Sequence, residues 1–141
     1  MRRFVILLLP LLLSACLSND GRHPIQDMLE GRKVVYDLPE STKDRASQGN
    51  IVPETQTWAA DGTTVYHRRP LLVDGKTFPK KGLWWIKGNR YCSWFGEGEP
   101  PEDLRCYSVR KSDKGTRIHF VPRKEMFDIF GNREWHGTYA D

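Results

Sequence analysis

The side chains in this sequence that could move protons or hold a metal are few, and their spacing is poor for either task. His23, His67, His119 and His136 are scattered, with no His-Glu-x-x-His run and no histidine pair at helical spacing, so a zinc hydrolase is unsupported and no metal site is expected. There is no Gly-x-Ser-x-Gly elbow, phosphate loop or dinucleotide fingerprint. Glu97, Glu99, Glu102 and Asp103 surround Pro100-Pro101 and could include a glycosidase pair, but acids in a turn ordinarily just solvate it. His67 and His119 fall in strand-like stretches, where a histidine is more often exposed or structurally satisfied than catalytic. The chain therefore reads as non-enzymatic, with no cofactor.

The cysteines say more, because the first of them closes a leader. Met1-Arg2-Arg3 is a charged start, Phe4 to Leu13 is an apolar run broken only by Pro10, and two small residues then precede Cys16. The run is too short to span a bilayer, which takes about 20 residues, and its flanks match a removable secretory signal. Leu13-Ser14-Ala15-Cys16 resembles the bacterial lipobox. That resemblance implies a diacylglyceryl group on the Cys16 thiol, cleavage just before it, and acylation of the new amino end. Several acyl chains hold a membrane stably where one does not. The alternative is an ordinary secretory signal that happens to contain a cysteine. Leu17 stands where an aspartate would favour inner-membrane retention, so a two-membrane cell would carry the protein on its outer membrane, facing the periplasm.

With Cys16 taken by lipid, Cys92 and Cys106 remain, one on each side of the Pro-Pro loop and in a compartment where disulfides persist. They are expected to be bonded, and closing that loop should stabilise the fold by roughly 3 kcal/mol. A zinc pair would call for Cys-x-x-Cys spacing or a nearby histidine, and a catalytic thiol would call for a base; the sequence offers neither.

The chain holds 22 Lys and Arg against 18 Asp and Glu, but Arg2 and Arg3 leave with the signal, so 20 stand against 18 in the mature protein. A basic pI is then no argument for nucleic acid, and no Lys/Arg cluster interleaved with aromatics supports one. Residues 1–15 form the signal, 16–30 the lipidated end and tether, and 31–141 one β domain.

Within that domain the strands alternate with turn signals. Ile25, Met28 and Leu29 behind Pro24 suit a short helix that caps the domain. Lys33 to Tyr36 reads as the first strand, and Pro39 to Asn50 as a long polar loop. Thr55 to Ala60 and Thr63 to His67 flank Asp61-Gly62, the signature of a two-residue hairpin turn; Leu71 to Val73 and Lys76 to Phe78 repeat it around Asp74-Gly75. Gly82 to Lys87 turns at Gly88-Asn89 into Arg90 to Phe95, and Arg105 to Arg110 returns through Asp113-Lys114-Gly115 as Thr116 to Val121. Met126, Phe127 and Phe130 suit a short helix, and Glu134 to Tyr139 a closing strand. Strands joined in sequence order by such turns predict an all-β domain: a small antiparallel up-and-down barrel or a sandwich, with a short N-terminal helix.

Around Gly88-Asn89 the register sets Ile86 opposite Tyr91, Trp85 opposite Cys92 and Leu83 opposite Trp94. One face then carries Leu83, Trp85, Cys92 and Trp94, the other Trp84, Ile86, Tyr91 and Phe95, and both are apolar. One packs the core. The second is covered by the chain itself or else makes a binding surface around Trp84, Trp85, Trp94 and Tyr91. Trp58 to Thr63, Gly82-Leu83-Trp84, Tyr91 to Trp94 and Arg105 to Val109 are similar to small secreted bacterial proteins with a calycin-like β-barrel. The resemblance covers roughly 31–121 and implies a barrel but supplies no catalytic residues. The Gly-x-Trp of lipocalins lies on their first strand, and here it is in mid-chain, so their ligand chemistry is not carried over. The expectation is a lipid-anchored envelope protein whose role is non-enzymatic binding or structural support, partnered by the membrane and another envelope protein. Alternatives are a barrel that holds a small apolar molecule or a glycan and, further off, an envelope hydrolase.

Overall fold

A computed structural model describes residues 21–70, 75–101, 106–122 and 134–140. The signal with Cys16, the expected Leu71 to Val73 strand, Glu102 and Asp103, and the expected helix at Met126 to Phe130 lie outside the described residues.

Eight strands form a closed antiparallel barrel in which every neighbour in space is a neighbour in sequence and the last strand pairs with the first. They are β1 (Lys33–Tyr36), β2 (Thr55–Trp58), β3 (Thr63–Arg68), β4 (Phe78–Lys87), β5 (Arg90–Trp94), β6 (Cys106–Ser112), β7 (Arg117–Pro122) and β8 (Trp135–Ala140). The barrel, not the sandwich, is the fold. Closure runs through β1 and β8, from Lys33 opposite Ala140 to Tyr36 opposite Gly137.

The turn at Gly88-Asn89 forms as its residues require. Gly88 has φ of 59°, Lys87 pairs with Arg90, and the expected partners Ile86–Tyr91, Trp85–Cys92 and Leu83–Trp94 all stand opposite one another. The Asp61-Gly62 turn is longer than expected, spanning Ala59 to Gly62. Gly62 N–H donates to the Ala59 carbonyl and Ala59 N–H to the Thr63 carbonyl, so only Gly62 takes a positive φ. Asp61 instead accepts from the Thr63 amide at 2.8 Å and the Thr63 hydroxyl at 2.6 Å. The hairpin expected around Asp74-Gly75 is not formed as drawn: Lys76 and Thr77 are not strand, and β3 pairs directly with an extended β4, Arg68 opposite Phe78.

Two helices accompany the barrel. In α1 (Pro24–Leu29) the His23 side chain accepts from the Ile25 amide while Gln26 reaches back to the His23 amide, so the first turn is capped from both sides. Ile25 and Leu29 are buried in the core, so the packed unit takes residues from the stretch read as tether. The polar stretch Pro39 to Asn50 is not all loop, since α2 occupies Glu40–Ser47. The Pro39 carbonyl accepts from the amide and hydroxyl of Thr42, and Lys43 pairs with Glu40 one turn back. This helix has no buried residue among those described, so no apolar stripe marked it.

The two ends of the barrel differ. At one, α1 and the tight turns at Ala59 to Gly62, Gly88-Asn89 and Asp113 to Gly115 close over Leu29, Val34, Trp58, Trp84 and Ile118. The Gly31 amide ties α1 to the Trp58 carbonyl there at 2.8 Å. Burying a side chain of this kind contributes about 1.5–3 kcal/mol. At the other end every connection is long.

Candidate functional site

Period-two alternation sends Tyr36, Gln56, Tyr66, Tyr91, Ser93, Tyr107, Phe120 and Trp135 into the barrel on seven different strands. Below them the closed end is filled. Above it they enclose a cavity of about 610 Å³, bordered at its mouth by Lys80, Trp94, Phe95, Gly96 and Pro101.

The walls are aromatic and in mutual contact. Tyr36 meets Tyr66, Phe120 and Trp135 at ring separations of 6.0, 6.0 and 5.9 Å, Tyr66 meets Phe95 at 5.8 Å, and Tyr91 meets Phe120 at 5.5 Å. Gly82, facing inward with Trp84, lets Phe95 approach: a Cβ there would stand 2.5 Å from the Phe95 ring.

The floor is polar and hydrogen-bonded within itself. Tyr36 donates to Gln56 Oε1 at 2.6 Å, and Gln56 Nε2 donates to Thr64 Oγ1 and to the Tyr91 hydroxyl, each at 2.9 Å. Trp58 Nε1 donates to the same hydroxyl at 3.0 Å. Burial pushes the Tyr36 phenol well above its usual pKa and raises Tyr91 too, so both stay neutral hydrogen-bonding groups. At the rim Glu54 accepts from Tyr66 at 2.6 Å and from the Arg69 amide at 2.8 Å; burial and that carboxylate raise the Tyr66 phenol in turn. Among the described lining residues only Lys80 is charged. This arrangement suits holding a molecule by its flat or apolar body while a few polar groups fix its orientation.

The residues singled out in sequence are divided by the barrel wall. Cys92 and Cys106 are directly opposed across β5 and β6 and form a disulfide. Trp84 and Tyr91 point inward and are buried, with Trp84 Nε1 donating to the Ala59 carbonyl at 2.9 Å. Trp85 shares the outer face with Cys92, and Trp94 ends β5 at the mouth, its indole against Gly96 and its Nε1 donating to the Gly98 carbonyl at 3.2 Å. The four aromatics are therefore not one surface, because adjacent strand residues face opposite ways. Leu83 on the outer face is 47% exposed.

Sequence reasoning missed Tyr36, Gln56, Tyr66, Tyr107, Phe120 and Trp135 as a group. The alternation within each short strand was the available signal. No family model matches the chain, and no curated protein or solved structure matches it.

Proposed function

We propose that this chain is a lipid-anchored cell-envelope protein whose barrel binds a small amphipathic molecule. The observation that carries the binding half is the cavity itself: about 610 Å³ of space with aromatic walls above a satisfied polar floor. That is the size and character of a small-molecule site, and an eight-stranded barrel leaves room for one small ligand. An apolar or aromatic body would lie among Tyr66, Phe95, Phe120 and Trp135, with polar groups toward Gln56, Ser93 and the phenols. Lys80 at the mouth favours a ligand carrying negative charge.

The anchoring half rests on the lipobox-like Leu13 to Cys16. Seven residues separate Cys16 from α1, which seals the closed end, and this favours an anchored barrel with its mouth away from the membrane.

Titrating the mature protein with anilinonaphthalene sulfonate, an anionic amphiphile, should give saturable one-to-one binding. Ser93→Phe, which fills the cavity, should abolish it, while Trp85→Ala on the outer face should leave it unchanged. Equal binding by the Ser93→Phe variant sinks the reading. Separately, Cys16→Ser should move the protein from the membrane to the soluble fraction and stop fatty-acid incorporation.

A further inference from the structure

Histidines that the sequence leaves scattered meet on the outer wall of the barrel. His119 of β7 and His136 of β8 are opposed in register, and because Ile118, Phe120 and Gly137 face inward, both rings stand outside. Their Nδ1 atoms are 2.6 Å apart, with the rings edge to face. Glu134, just before β8, places Oε2 at 3.5 Å from His136 Nε2, and the three residues can bring one ligand atom each within 4.8 Å of the others.

The neighbours fix how the rings are used. Ser112 Oγ sits 2.5 Å from His119 Nε2; with the Nε2 proton given to that oxygen, the Nδ1 of His119 presents a lone pair to His136. Metal-binding histidines are commonly oriented in this way, through the nitrogen that does not bind. His136 directs its own Nδ1 at the same point, so two imidazole nitrogens converge, with the Glu134 carboxylate on the Nε2 side of the His136 ring. Without a cation, one proton at most can lie between them.

We propose that His119, His136 and Glu134 bind a divalent transition-metal ion of the zinc type, which clips β8 to its neighbour β7. Zinc–nitrogen bonds of about 2.0–2.1 Å in a tetrahedral site put ligand atoms roughly 3.3 Å apart, so the rings need to part only slightly. The Glu134 side chain is part-exposed and has only to turn toward the ring nitrogens. Arg110 lies 3.6 Å from the Glu134 carboxylate and must yield it, whereas Arg117 is already engaged by Asp37 and Asp113. The remaining positions on the ion would be filled by water.

Equilibrium dialysis of the mature protein against zinc should find one ion per chain, and zinc should raise the melting temperature reversibly with chelator. The exterior double variant His119→Gln/His136→Gln should melt like the metal-free native protein, bind zinc at least tenfold more weakly and lose the zinc-dependent rise. Should that variant not fold, paramagnetically shifted imidazole resonances from both histidines in the cobalt-loaded native protein give the same answer. The proposal is overturned if the native protein takes up no zinc, if the folded double variant binds it equally, or if cobalt leaves the imidazole resonances unshifted.

Discussion

Trp84 and Trp85 show how much a single position along a strand decides. Trp84 is 6% exposed, packs beside Tyr91 and donates to the Ala59 carbonyl, which also accepts from Gly62, so Trp84→Ala leaves a cavity and removes one of that carbonyl's two hydrogen bonds. A loss of about 3–5 kcal/mol is expected, visible as a large fall in the urea midpoint. Trp85 on the outer face spans the wall opposite Cys92, and Trp85→Ala should cost under about 1.5 kcal/mol. Equal losses in the two variants would show that both rings belong to the core. That these neighbours oppose one another was readable from the sequence. Which one faced inward was not, because Leu83, Trp85, Cys92 and Trp94 are as apolar as the set that lines the barrel.

Among the elements, those governed by local chemistry were legible. Gly88-Asn89 defines its turn within two residues, and Pro24 with the i, i+3, i+4 apolar triplet defines α1. α2 escaped notice because Pro39, Thr42 and the Glu40–Lys43 pair hold it without an apolar face. The His119–His136 pair escaped because it exists only once β7 and β8 are in register, across the intervening 123–133. At the β2–β3 turn, hydrogen bonds from the Thr63 hydroxyl and amide hold the Asp61 carboxyl below its usual pKa. A carboxyl lowered in the folded state stabilises the protein above the unfolded pKa, near 4, and that contribution is lost as pH falls through the folded value. Asp61→Asn should therefore flatten the acid limb of stability between about pH 5 and pH 2, measured as urea midpoints against pH. An unchanged limb would mean the carboxylate plays no part in holding the turn.

For the molecule as a whole, the asymmetry of the two ends follows from loop length: short turns and α1 leave no space at one, and long connections leave the cavity at the other. The strand-by-strand grammar was enough to foresee a barrel, but the residues lining its cavity were not picked out, since each strand supplies only one or a few of them. Its rim depends on the seam between β5 and β6, where Tyr91 stands opposite Tyr107 and Cys92 opposite Cys106 among the described residues. The disulfide lies on this seam. Replacing both cysteines by serine should lower stability by about 2–5 kcal/mol. A further effect concerns company rather than energy. A closed barrel has no free edge, and a parted seam creates two, each a row of unpaired amides and carbonyls ready to recruit a strand from another molecule. The double variant should accordingly form concentration-dependent dimers and larger species by size-exclusion chromatography while the oxidised protein does not. Seen this way, the Cys92–Cys106 bond is a guard against adhesion, keeping each copy from adding its wall to its neighbour's.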